Sequence, residues 1–174
     1  MGKTFLVNSF FHDQYSFKLT GLAKKGKREQ LANFSAALNR YGGGRKYAKP
    51  RTWYEAFEQL RNLLEDAPRD GRRVVFIDEL PWIDSHGSNL VSALEHFWND
   101  WAVTQNDLVL IVCGSATSWI TRKILKDRGG LHNRVTQRLY IRPFTLAECR
   151  EYVHSRGLEM EDKEVSSGSV SYCY

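Results

Sequence analysis

One run constrains this chain more than any other: Arg73-Val74-Val75-Phe76-Ile77-Asp78, followed at once by Glu79. A strand with one wet face alternates polar and apolar residues, whereas an unbroken apolar, β-branched run is covered on both faces, as in a parallel sheet. Parallel neighbours need crossovers of a dozen or more residues. The chain is therefore expected to be an α/β protein with helices between its strands.

The remaining pattern agrees with that expectation. Lys3 to Phe11 reads as a short helix, and Tyr15 to Thr20 alternates as a strand with one buried face. Helices follow from about Lys27 to Arg40, through Leu31, Phe34 and Leu38, and from about Thr52, through Phe57, Leu60 and Leu64. Asn89 to Thr104 carries Leu90, Leu94, Phe97, Trp98 and Trp101 at helical spacing, and Leu108 to Cys113 is a second buried strand. A helix through Trp119, Ile120 and Ile124 comes next, then a short strand over Leu139 to Ile141. The last helix opens at Thr145 with Glu148 in capping-box position. Residues 1–160 form the expected core, and 161–174 read as an irregular tail.

Composition narrows the class. At 174 residues and 42% hydrophobic content the chain can bury a core, and no apolar run reaches the roughly 18 residues of a membrane span. The start lacks a secretory layout. Cys113, Cys149 and Cys173 form no close pair, which argues against a disulfide framework and for a reducing, cytoplasmic setting. The histidines have no metal-ligand spacing. Charge is uneven: residues 18–51 hold ten basic side chains and one acid, Glu29. That segment is either a solvated surface or a face for nucleic acid or another polyanion.

Two motifs carry chemistry. Asp78 and Glu79 stand where a buried strand ends, the edge at which open α/β sheets bind ligands. An aspartate there can hold magnesium through water, and the next glutamate can orient or deprotonate an attacking water. Gly2-Lys3-Thr4, followed directly by a helix, matches the end of a phosphate-binding loop: the helix N-terminus and the lysine attract phosphate, and the threonine hydroxyl helps hold the metal. Ser115, just past the second buried strand, fits either a water-positioning group or a helix cap. Arg134 and Arg138 fit either surface ion pairs or an arginine that reaches a neighbouring subunit's terminal phosphate. Trp53, Trp98, Trp101 and Trp119 fall on apolar helix faces as core residues. Trp82 instead lines a cleft or a partner surface.

Phe76-Ile77-Asp78-Glu79-Leu80-Pro81-Trp82, Leu110-Ile111-Val112-Cys113-Gly114-Ser115-Ala116 and Ile141-Arg142-Pro143-Phe144-Thr145-Leu146-Ala147-Glu148 together resemble the prokaryotic (archaeal-type) AAA ATPases, over roughly residues 2 to 155. The resemblance implies a P-loop NTPase three-layer sandwich that binds and hydrolyses ATP with Mg2+. It implies phosphate contact by Gly2, Lys3 and Thr4, metal contact by Thr4 and Asp78, water activation by Glu79, γ-phosphate sensing by Ser115 and self-association through an arginine such as Arg134. The family's first strand, its helical lid and its C-terminal domain have no counterpart here. The expectation is thus a copy truncated at both ends, with the first strand missing between Leu108–Cys113 and Leu139–Ile141, and with weak ATP binding or none.

Overall fold

A computed structural model describes residues 2–68, 71–115, 117–125, 131, 134–142 and 144–157. The chain divides into two compact units, Asn8–Gln137 and the residues up to Val7 together with those from Arg138 onward. The tail expected over 161–174, and Cys173 within it, lie outside the described residues.

The larger unit is built on three parallel strands, β1 (Phe17–Thr20), β2 (Arg73–Asp78) and β3 (Leu108–Val112), in the order β1-β2-β3. Phe17 pairs with Val75 and Leu19 with Ile77, while Val75 pairs with Leu110 and Ile77 with Val112. Alternation along each strand puts these six side chains on one face. Every residue of β2 is buried, as its unbroken apolar run predicts. In β3 only Leu108 is buried and the other four residues are half-buried, and among the described residues its backbone pairs with β2 alone.

Three helices supply the core for that face: α2 (Lys27–Tyr41), α3 (Trp53–Asp66) and α5 (Leu90–Asp100). Phe17 meets Phe34 at 5.0 Å between ring centroids, Phe34 meets Phe57 at 5.7 Å, and Phe57 meets Phe97 at 5.5 Å. This relay of rings ties β1 to all three helices, each contact adding about 0.5–1.5 kcal/mol beyond area burial. Thr52 starts α3 by accepting the amide of Glu55 on its hydroxyl, an N-cap worth about 1 kcal/mol. The fifth helix stops at Asp100, and a 3₁₀ turn (Ala102–Thr104) follows, so the single helix expected over Asn89–Thr104 is in fact two pieces. Past β3, α6 (Thr117–Ile120) runs into a π-turn (Thr121–Leu125).

The amino end of β2 is anchored by a buried arginine. The Arg73 guanidinium donates to both carboxylate oxygens of Asp107 at 2.7 Å, to the Leu64 carbonyl at 2.7 Å and to Gln105 Oε1 at 3.0 Å. Its charge also lies 5.6 Å from the Trp101 ring.

In the smaller unit, helix α1 (Lys3–Phe11) begins, its first turn closed by the Leu6 amide on the Gly2 carbonyl at 2.8 Å; the unit boundary falls inside this helix. Its other helix, α7 (Leu146–Ser155), starts with the expected capping box. The amide and hydroxyl of Thr145 donate to Glu148 and hold its carboxyl below the ordinary range. The strand expected over Leu139–Ile141 does not form. Leu139 and Tyr140 are more than 70% exposed, and no ladder partner adjoins them among the described residues. A strand this short has no stability without one.

Candidate functional site

The carboxyl ends of the three strands converge on a small group of polar residues. Asp78 closes β2, is 3% exposed, and accepts the Glu79 amide on Oδ1 at 3.0 Å. Glu79 then turns left-handed at φ 49°, a conformation that costs an L-residue roughly 1–2 kcal/mol. The kink sends the chain straight into α4 (Leu80–Ile83) and aims the two adjacent carboxylates in different directions. Glu79 Oε2 accepts both the backbone amide of Ser115, at 3.1 Å, and its hydroxyl, at 3.0 Å. Ser115 stands two residues before α6, so its side chain serves Glu79 rather than capping the helix.

Close backbone packing fixes this geometry. A Cβ on Gly114 would lie 2.5 Å from Pro81 Cδ, and one on Gly21 would lie 2.6 Å from the Glu79 carbonyl. The turn that carries Glu79 is thus clamped between the loops leaving β1 and β3. The ladder extends into these loops: Gly21 donates to the Asp78 carbonyl, Cys113 to Ile77 and Leu80 to Cys113, each at 2.9 Å.

Two supporting residues were not legible in the sequence. Gln30, 1% exposed, joins the loops after β1 and β2 by donating to the carbonyls of Leu22 at 2.7 Å and Trp82 at 3.0 Å. Asp84 accepts the Ser88 hydroxyl at 2.8 Å and the Trp119 indole at 3.0 Å. Trp119 therefore pins α6 to the turn after Glu79, beyond its packing role. Trp82 is 44% exposed beside this turn.

The structure brings Asp78, Glu79 and Ser115 together. Lys3 and Thr4 open α1 in the smaller unit, with Gly2 just before them. Arg134 sits in an exposed turn of the larger unit, its amide on the Leu131 carbonyl at 3.0 Å, and Arg138 belongs to the smaller unit. No cluster of three or more His, Cys, Asp or Glu residues occurs among the described residues. Asp78 ends β2 with one carboxylate, a donor of the kind magnesium takes, since that ion keeps several waters and binds through one or two protein oxygens.

The basic segment does not form one surface. Lys24, Lys25, Lys27 and Arg28 flank the start of α2, and Arg40, Arg45, Lys46 and Lys49 lie at or beyond its end, about 20 Å away for a 15-residue helix. Lys18 pairs with Asp13, Lys25 with Glu29 and Arg45 with Asp66.

No family model and no curated protein matches the chain. Among solved structures it is similar to a Walker-type ATPase of Pyrococcus abyssi, with a TM-score of 0.63 at 17% identity over 97% of this chain. At that identity the likeness is one of fold. The match spans 55% of the length of that ATPase. No helix among the described residues is long and apolar enough to cross a membrane.

Proposed function

We propose that the chain is the nucleotide-binding core of an AAA-type P-loop ATPase with the three-layer arrangement of that class. The observation that supports this reading best is the carboxyl-edge constellation of Asp78, Glu79 and Ser115 on a Walker-ATPase-like fold. In this reading Gly2, Lys3 and Thr4 contact the phosphates, and Thr4 and Asp78 hold magnesium, which supplies charge neutralisation on the phosphate oxygens. Glu79 aligns and deprotonates the attacking water, and Ser115 contacts the γ-phosphate. Arg134 of a second copy offers charge to the transferring group.

Amide NMR spectra recorded while Mg-ATP is added test the assignment. Shifts should concentrate at Asp78, Glu79 and Ser115, require magnesium and be lost in Lys3→Ala. Glu79→Gln should keep them while phosphate release falls by roughly 100-fold. Shifts elsewhere, or shifts indifferent to Lys3, would overturn the assignment.

A further inference from the structure

Helices α3 and α5, both in the larger unit, leave between them a groove of about 460 Å³. That volume lies within the roughly 300–1,000 Å³ of small-ligand pockets. Its buried lining is apolar, from Phe57, Ala93, Phe97 and Trp101, while Glu55, Glu58 and Asp100 line it from exposed positions. We propose that this groove binds an extended aliphatic polyamine, with methylenes on the apolar lining and ammonium groups on the carboxylates.

The charge of the lining itself calls for a cation. Against three carboxylates it holds one guanidinium, that of Arg61, and this already donates to Glu65 at 3.0 Å and to Asp100 at 3.4 Å. Glu55 accepts only a backbone amide, that of Arg51, at 2.7 Å. Glu58 makes no hydrogen bond or ion pair among the described residues. These acids do not converge as a metal site would: no group of three or more His, Cys, Asp or Glu able to hold a metal ion occurs among the described residues. Glu55 and Glu58 stand three apart on α3, about 5–6 Å between Cβ atoms, the scale on which a short methylene chain separates two amines. The fitting cation is thus spread along the groove rather than concentrated at a point.

Arg61 shows how such a ligand would lie. Its guanidinium sits 5.9 Å from the centroid of the Trp101 ring while it reaches the two acids, a cationic head on carboxylates beside apolar surface. The helices run side by side, with Tyr54 against His96 at 5.8 Å between centroids, Phe57 against Phe97 at 5.5 Å, and Arg61 against Asp100. Arg61 therefore serves one end of the groove. The other end, with Glu55 and Glu58, has no lysine or arginine in its lining. Gln59 also lines the groove, and its Oε1 is buried without a hydrogen-bond partner. A buried acceptor left without a donor is costly, and an ammonium supplies one. A lysine side chain would bring a single ammonium, whereas a polyamine brings several in line.

The test is isothermal titration of the full chain with spermine, with amide NMR spectra to locate it. Binding should saturate at low salt, with shifts concentrated over Tyr54–Arg61 and Ala93–Trp101. Glu58→Gln and Gln59→Leu should each weaken it roughly threefold or more. Neither breaks a native bond, so both should keep the parent's urea midpoint or exceed it. Glu151→Gln, which removes an exposed acid from α7 in the smaller unit, should bind spermine like the parent. The proposal fails if spermine does not saturate, if either groove variant binds like the parent, or if Glu151→Gln loses as much. It fails equally if magnesium displaces spermine better than sodium does at equal ionic strength, which would make the groove a point-ion site. A capped tetralysine peptide that binds more tightly than spermine would also overturn it, in favour of a docking surface for a basic protein segment. None of these outcomes depends on ATP binding.

Discussion

Ser115 gives both of its donors to one oxygen of Glu79, its amide from 3.1 Å and its hydroxyl from 3.0 Å. The pair spans 36 residues and joins the loops leaving β2 and β3. It is exposed, so its contribution to folding is small, within about 1 kcal/mol. Ser115→Ala should leave the urea midpoint nearly unchanged, because the amide still donates. In the ATPase reading the hydroxyl is also a γ-phosphate contact, and phosphate release should drop roughly tenfold or more. Equal turnover in parent and variant would remove Ser115 from the site.

Gly114 acts through space rather than through a bond. The Cβ of an alanine there would sit 2.5 Å from Pro81 Cδ and 2.6 Å from Cγ, and a proline ring cannot swing aside. Gly114→Ala should cost roughly 1–3 kcal/mol, as overpacking does. Gly71→Ala is the matched control, since nothing lies within 4 Å of its added methyl; it should be neutral or slightly stabilising. Equal urea midpoints for the two variants would mean that the turn bearing Glu79 is not clamped.

The contrast between these residues explains what the sequence could reveal. The Val74–Ile77 run needed no partner to be read, because burial on both faces leaves its mark in consecutive residues; the observed β2 has the predicted bounds. The periodic faces of α2 and α3 were legible for the same reason, as was the Thr145–Glu148 capping box. Leu139–Ile141 was misread because a strand is a property of a pair, and apolar residues alone do not supply the neighbour. Gln30, Asp84 and the bifurcated Ser115–Glu79 contact depend on segments 35 to 52 residues apart in sequence, which no local spacing encodes. Gly114 was visible as a residue, while its reason, the Pro81 ring, was not.

Arg73 tests the other end of β2. Its fork meets both oxygens of Asp107 and two further acceptors with only 2% of the side chain exposed. Arg73→Ala should cost about 3–5 kcal/mol, by removing a buried guanidinium together with its bonds to Asp107, Gln105 and the Leu64 carbonyl. That is a large share of the about 5–15 kcal/mol typical of a domain. Arg73→Lys keeps the charge but loses the planar fork, and should fall between the parent and alanine in urea denaturation. A lysine variant as stable as the parent would reduce the anchor to simple charge pairing.

Glu79 itself holds a left-handed backbone at φ 49°, which separates its local strain from its chemistry. Glycine adopts this conformation freely and alanine does not. Both substitutions delete the carboxylate and both contacts to Ser115, so their difference isolates the backbone. Glu79→Gly should therefore be more stable than Glu79→Ala by roughly 1 kcal/mol, reduced by the extra unfolded-state entropy of glycine. Both should lack phosphate release in the ATPase reading. If alanine proved the more stable of the two in paired urea titrations, the turn after β2 would relax out of the left-handed region on losing its side chain. The strain would then be imposed by the Glu79–Ser115 contact itself, and not by the clamp of Gly21, Pro81 and Gly114 around it.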